Sequence, residues 1–522
     1  MRRRVVWVAA GQSCRQGRKR MKTFMRSAFV AVSLLTLNLA VPALAQDDDA
    51  TTLSLASTVD NNSFDVGALQ IGHRVQYWMP VFDTLLVLDP QMNALPNLAT
   101  AFTYNEDNTV LNLKLREGVS FTDGAPFNAE AVKANIEYIR DAAGQNSYMV
   151  GSVKDVEIVS DYEVNLVLSA PDPGLIGYLG MVGGAIASPA TLGTEASATT
   201  PIGSGAYVLD ANETVAGRQY VYTRNADYWN KDAYPFEKMV IIPMNDLSAR
   251  LNALKSGQID AAAADAKSIG EAEAAGLTVN ATQVDWQGLI IAGRDGKVVP
   301  ALADVRVRQA LNFAFDKEGL VKHLLLDRGA VIDQPFNLDS QAFDQSLVGT
   351  YAYNIDKARE LMKEAGFENG FTVKMPSTPG FASYEPIIEQ TLNQLNISIE
   401  WEKVAANALI ADLLAGKFPL YMMSLASQTA WMDFRRFGFT ESPWNTSHVD
   451  DPAMTELLKT AQFATGEAQD EAMKAASRYI TENAFFAPWF MVDSIYLTDA
   501  DTKVDMQNQN IVPWPRNFAP AN

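Results

Sequence analysis

The strongest constraint on how this chain folds lies between Pro201 and Asp260, where strand, turn and helix signals follow one another closely. The run opens with PIGSGAYVLD, whose Gly203 and Gly205 suit a tight approach to a strand, because glycine accepts backbone angles that a β-carbon forbids. Tyr220 to Arg224 reads as a second strand, and Asn225 to Asn230 as a polar turn carrying Tyr228 and Trp229. Asp246 is placed to cap a helix whose Leu247, Leu251 and Leu254 share one face; Gly257 ends it, and Ile259-Asp260 begins another strand.

The rest of the chain is mixed in the same way. Leu53 to Ala56 and Val110 to Leu115 are β-rich, and Val153 to Val159 with Glu163 to Leu168 reads as a hairpin across Ser160-Asp161. Val132, Ile136 and Ile139 fall on one helical face behind Asn128 as a cap. Strand and helix patterns alternate from Phe371 to Leu425, with Asn407 as a cap and Gly416 as a stop, and such alternation argues a mostly parallel sheet with helices on its faces. No internal repeat or long low-complexity tract interrupts this. The stretch Ala190 to Thr200 and the loop Gly293 to Pro300 are the candidate domain crossings.

The amino terminus fixes the expected compartment. From Met21 a basic start (Lys22, Arg26) precedes an apolar run, Ala28 to Val41, and then Ala43-Leu44-Ala45 before Gln46. This is the layout of a cleaved secretory signal at 21–45, and the run is shorter than the roughly 20 residues a membrane span needs. Met1 to Arg20 is basic and has no place in such a signal, so translation is expected to start at Met21. A lipid-anchored product would need a cysteine after the cleavage site, where Gln46 stands. The expected product is therefore free of the membrane.

Composition narrows the chemistry. The first 45 residues hold nine basic and no acidic residues, leaving 33 basic against 61 acidic in the mature chain, a formal charge of −28. Such a surface repels phosphate backbones and anionic lipid, which excludes nucleic-acid partners. The single cysteine, Cys14, leaves with the leader, so disulfides, thiolate nucleophiles and cysteine-based zinc sites are not expected. Only His73, His323 and His448 are present, with no H-E-x-x-H and no G-x-S-x-G, and Gly203-Ser204-Gly205 lacks the lysine of a phosphate-cradling loop. Asp47-Asp48-Asp49 reads as a solvated terminus. Neither a metal nor a cofactor is expected, and no catalytic residue is assigned. A secreted hydrolase using scattered carboxylates, such as a glycosidase, is the alternative from another class.

The order of motifs resembles the bacterial extracellular solute-binding proteins of family 5, the peptide, nickel and opine type that serve ABC importers. The resemblance rests on PIGSGAY, DYW and SGQID, on VFDTLLVLDP at 81–90 with ALPNLATA at 94–101, on LNLKLREGVSFTDGAPF at 111–127, on PALADVRVRQALNFAFD at 300–316 and on NIDKARELMKEAGF at 354–367. It implies an α/β fold of the periplasmic binding protein type (type II): two α/β lobes joined by a hinge, with an extra inserted domain. Mapped here, lobe I comprises 46–91, 200–292 and 493–522, the insert 92–199, and lobe II 293–492.

What the resemblance implies about function is a periplasmic monomer, not an enzyme, that captures a small solute between the lobes and delivers it to ABC permease subunits. A sensor presenting its ligand to a receptor is a second reading in the binding class. The family's contact regions fall here on His73, Gln76, Tyr77 and Trp78, on Trp286 and Arg294, and on Ser427, Gln428, Trp431, Asp433 and Arg435, with Phe381 and Tyr384 added after the Pro376–Gly380 turn. Trp431 stands out, because an aromatic in a Ser/Gln/Thr/Ala loop has no periodicity to explain it as core. Peptide-binding members carry a tryptophan soon followed by an aspartate at the end of the 420–425 strand, whereas here Leu425-Ala426-Ser427-Gln428 comes first and Trp431-Met432-Asp433 later. That departure counts against an ordinary peptide, and the expected ligand is open among a peptide, an opine, a modified amino acid and a small glycoside, with a chelated metal disfavoured by the scarcity of histidine.

Overall fold

A computed structural model describes residues 52–521 apart from 143, 406 and 407; the leader, the Asp47–Asp49 terminus and the Asn407 cap lie outside the described residues. Thirteen strands matter for the site: β1 Thr52–Ser57, β2 Ala99–Tyr104, β3 Val110–Leu115, β4 Val153–Ser160, β5 Glu163–Leu168, β6 Tyr207–Leu209, β7 Tyr220–Arg224, β8 Lys238–Pro243, β9 Ala261–Ala264, β10 Thr278–Ile290, β11 Gly329–Val331, β12 Tyr421–Ala426 and β13 Phe486–Thr498. Nine of them form one sheet in the order β12-β10-β13-β9-β1-β8-β7-β6, with β11 added to β13. Strands β2, β3, β5 and β4 form a separate antiparallel sheet.

Local signals explain most elements. Helix α1 (Ala129–Asp141) starts where Asn128 accepts from the Ala131 N–H, and its Val132, Ile136 and Ile139 are fully buried, each such side chain contributing roughly 1.5–3 kcal/mol relative to exposure. Helix α2 (Leu247–Lys255) is capped by Asp246 through the Ala249 N–H, and Gly257 takes the positive φ that ends it.

One expectation is corrected. The 371–425 region does not make a mostly parallel sheet, because Thr372–Ser377 and Ser398–Lys403 pair in parallel as an isolated couple, while β12 joins the large sheet antiparallel to β10. The long strand β10 offers a six-residue ladder to β12, and that pairing wins over lateral addition to the short couple.

The close approach at Gly203 and Gly205 exists, but its partner and cause differ from those expected. Neither glycine has positive φ; a β-carbon on Gly203 would lie 2.1 Å from the Val81 carbonyl oxygen, and one on Gly205 2.5 Å from the same group. The contact is thus with the turn after residue 78, held by Gly205 N–H to Val81 O at 2.9 Å and Tyr207 N–H to Pro80 O at 2.9 Å. Just beyond this turn, the buried Asp83 carboxylate accepts from Ser204 Oγ, Tyr228 Oη and Trp229 Nε1, each at 3.0 Å. Three motifs distant in sequence therefore meet on one carboxylate, and Arg116 stacks on the Trp229 ring at 3.9 Å.

Strands β10 and β13 carry the design of the molecule. Each spans 13 residues, and each changes neighbours in its middle: Ile495–Thr498 of β13 lie beside β9, whereas Phe490–Val492 lie beside β11. The hydrophobic cores change over at the same place. Ile495 and Leu497 pack with α2 and β9, and Tyr496 with the large core around β1, β6–β8 and the four-stranded sheet. Trp286, Leu289, Phe490 and Met491 belong to two cores built from residues 286 to 491. Register shifts at Gln283/Asp285 and Gln287/Gly288 mark the crossover, and such bulges bend and twist a strand locally. Trp286 and Leu289, ahead of the Gly293–Pro300 loop, already lie in the second group of cores.

Candidate functional site

The end of β12 feeds directly into helix α3 (Ala430–Phe437), which carries Trp431, Asp433, Arg435 and Arg436. The opposite wall comes from the other core: the turn Ser147–Val150 and the segment Ser169–Tyr178. Between them lies a cavity of about 300 Å³ lined by Tyr148, Asp172 and Tyr178 on one side and Trp431, Arg435 and Gln462 on the other. Its aromatic walls and few convergent polar groups are what a small-molecule cleft requires. Gln462 Nε2 donates to the Pro171 carbonyl at 2.8 Å, and Met432 packs into the core on the far side, so the two walls touch.

A polar seam crosses β10 and β12, the strand that precedes α3. Gln287 Nε2 donates to Ser424 Oγ at 3.3 Å, Ser424 Oγ donates to Asp285 Oδ2 at 3.1 Å, and Tyr384 Oη donates to Gln287 Oε1. Asp433 is enclosed and internally satisfied: Oδ2 accepts from Ser427 Oγ at 3.2 Å and Gln428 N–H at 3.0 Å, and Oδ1 from Arg436 at 3.1 Å. Burial pushes the Asp433 carboxyl up to about 6 against the pull of Arg436 and these hydrogen bonds. Burial also raises Asp285 and Asp172, opposed respectively by Ser424 and by Ser152, and raises Asp83 to about 6 against its three donors.

The sequence-derived candidates separate into two groups. Trp431 and Arg435 line the cavity, and Ser427, Gln428 and Asp433 form the turn beneath it. None of the others lines it: Tyr77, Trp78, Trp286 and Arg294 lie in packed interiors, His73 and Phe381 are half-buried, and Tyr384 belongs to the β10–β12 seam. Tyr77 donates to Val59 O and meets Tyr220 edge to face, and Trp78 donates to Gln70 O at 2.8 Å. Trp286 packs on Phe486, and Arg294 stacks on Phe485 while donating to Ile291 O and Asn445 Oδ1. Phe381 is half-buried between the two cores of the second side. His73 has its Nδ1 enclosed without a partner among the described residues, and burial, then Arg250 and Arg74, lower its imidazole to about 4. Tyr148, Asp172, Tyr178 and Asp285 escaped the sequence reading. Asp285 could have been noticed as a carboxylate within the β-rich run QVDWQGLII.

These shifts predict a pH response. Asp83 and Asp433 titrate higher in the fold than in the unfolded chain, so the stability linked to their protonation is fully present below about 4 and lost as pH rises through about 6. His73 works the other way, since its lowered value favours the neutral form and stability falls as the unfolded imidazole gains protons below about 6.5. In a His73→Gln background, urea denaturation is expected to show stability rising by about 2–3 kcal/mol from pH 7 to pH 5. The wild type should show a much smaller change, and a fall in the variant would contradict the assignment.

Two α/β bodies, joined by a pair of shared strands and enclosing a solute-sized cavity, define a hinged two-lobe architecture. The signature of the bacterial extracellular solute-binding proteins, family 5 (Middle), covers residues 93–447, and the chain belongs to that family. The chain is 30% identical over 341 residues to the glutathione-binding protein GsiB of Escherichia coli O1:K1 / APEC, covering 63% of this chain and 64% of that one, so it matches just under two thirds of such relatives. Among solved structures, HbpA2 from Haemophilus parasuis superposes with a TM-score of 0.79 at 20% identity, covering 90% of this chain and 100% of that one. The periplasmic binding protein DppA from Helicobacter pylori, in complex with the peptide STSA, gives 0.74 at 20% identity over 90% and 98%. NikZ from Campylobacter jejuni, in complex with Ni(L-His), gives 0.73 at 21% over 90% and 99%. Among the described residues no helix is long and apolar enough to cross a membrane, and no group of three or more His, Cys, Asp or Glu side chains is arranged to hold a metal ion.

Proposed function

We infer that this protein is the periplasmic solute-binding component of an ABC importer, taking a small polar solute between its lobes and handing it unaltered to the permease. The observation that carries this reading is the cavity of about 300 Å³ between the insert, which shares its core with lobe I, and the α3 side of lobe II. Residues 46–91, 200–292 and 493–522 would make lobe I, 92–199 the insert and 293–492 lobe II, with the bend itself within β10 and β13. The insert shares one continuous core with lobe I, so those two would move together. Relatives named for glutathione, peptide and nickel–histidine binding support a small polar or peptide-like solute. Export through cleavage after Ala45, without a lipid anchor, belongs to the same reading.

Closure buries the solute, and a ligand shifts an open–closed equilibrium only by its differential affinity for the two states. The true ligand is expected to raise apparent stability by about 2.7 kcal/mol at 100 times its dissociation constant. Thermal unfolding of the purified protein against peptides, opines, glycosides and metal chelates measures this, with mass spectrometry of the recovered compound. Absence of any stabilising compound would overturn the binding reading. A recovered compound that is chemically altered would favour the hydrolase instead.

A further inference from the structure

The cavity against α3 has a neighbour. A second cavity, of about 210 Å³, shares Pro171, Asp172 and Gln462 with it, so these three residues form a common wall. Across that wall Gln462 Nε2 donates to the Pro171 carbonyl at 2.8 Å. The second cavity is again lined from two sides: by Tyr104, Pro173 and Ile176 before residue 200, and by Ala464 to Gly466, which join helix α4 (Pro452–Phe463) to α5 (Gly466–Glu482). The two chambers offer a solute different surfaces. The first holds the charges of Arg435 and Asp172 and the hydroxyl-bearing Ser152 and Ser169. In the second, polar side chains are largely spent on the chain's own backbone, since Tyr104 Oη donates to the Asp172 carbonyl at 3.3 Å and Gln469 Nε2 to Ala461 O at 3.1 Å and Ala464 O at 2.9 Å. Ring and aliphatic carbon from Tyr104, Pro171, Pro173, Ile176 and Ala464 then makes up most of its wall, alongside Asn108 and Thr465.

We propose that this second cavity is a subsite for an apolar tail, so that the solute is an amphiphile: a polar head held beside Arg435 and Asp172, and an acyl or alkyl chain laid past Gln462 against Tyr104 and Ile176. The inference rests on the solute-binding reading. A wall whose polar groups are already satisfied has little to give a second polar group, but it rewards carbon, because each methylene removed from water adds about fourfold in affinity. The shared wall at Pro171, Asp172 and Gln462 lets one molecule reach both chambers.

The test uses the full mature protein and two series of probes, N-acyl glycylglycines and alkyl β-D-glucosides, each with tails of two, four, six and eight carbons. Isothermal titration is expected to show affinity rising at least tenfold from the two-carbon to the six-carbon member of one series. Thr465→Trp brings a large ring to the second cavity from an exposed position that makes no capping hydrogen bond, and Ile176→Ser removes part of its apolar wall. Each is expected to cut the rise to less than threefold, Thr465→Trp at an unchanged unfolding midpoint. Arg435→Ala, in the first chamber, should weaken every member of the series alike and keep the rise. Binding with no dependence on tail length would overturn the tail subsite while leaving the solute-binding reading intact. An undiminished rise in both Thr465→Trp and Ile176→Ser would place the tail elsewhere and overturn it too. A protein that binds no member of either series overturns the inference, and the broader panel of peptides, opines, glycosides and chelates then decides the reading beneath it.

Discussion

Asp83→Ala is expected to lose about 3–6 kcal/mol of folding free energy, because it strands three buried donors at once, each costing about 1–3 kcal/mol when left without an acceptor. Ser204, Tyr228 and Trp229 all donate to this one carboxylate. A loss of that size is a large share of the stability of an ordinary domain. Urea denaturation measures it directly. Asp83→Asn keeps one acceptor oxygen and removes a buried carboxyl held at about 6, so it should lose less than the alanine variant. If the alanine variant unfolds at the wild-type midpoint, the convergence of the three motifs has no energetic meaning.

Trp431→Ala should weaken the best solute by about 2–4 kcal/mol, a factor of roughly 30 to 1,000 in affinity, as expected for a buried aromatic at the centre of a contact surface. Trp431 also meets Phe439 edge to face and belongs to a core, so the variant will lose stability as well. Arg435→Ala separates the two effects, because Arg435 is exposed and lines the same cavity. It should reduce affinity severalfold without moving the unfolding midpoint. Wild-type affinity in both variants would place the solute elsewhere.

Much of the fold was legible because local rules and global packing agree. Asn128 and Asp246 cap the helices their positions announce, and Val132, Ile136 and Ile139 bury the face their spacing predicts. Legibility failed where a local signal had two outcomes. Tyr77, Trp78 and Trp286 are aromatics on regular elements, and only the packing around them shows that their rings fill cores. Trp431, expected in an aperiodic loop, instead stands on helix α3 and is buried in the same core as Trp286 while one edge lines the cavity with the exposed Arg435. The opposite wall, Tyr148, Asp172 and Tyr178, stands more than 250 positions earlier in the chain, and nothing local links it to α3. Asp433 shows the converse failure: its position invites a ligand contact, but three internal donors already occupy it.

The sequence alone determined the class of elements, the family-defining order of motifs, the excess of acidic residues and the presence of a single cysteine at position 14, since each of these depends on residue type and short-range spacing. Only the tertiary structure decided which carboxylates are satisfied, that β12 pairs with β10 rather than with its sequence neighbours, and that the cores change over at Gln283–Asp285. The physical reason is distance along the chain: hydrogen-bond satisfaction and core membership are settled by partners hundreds of residues away, whose approach no local propensity encodes.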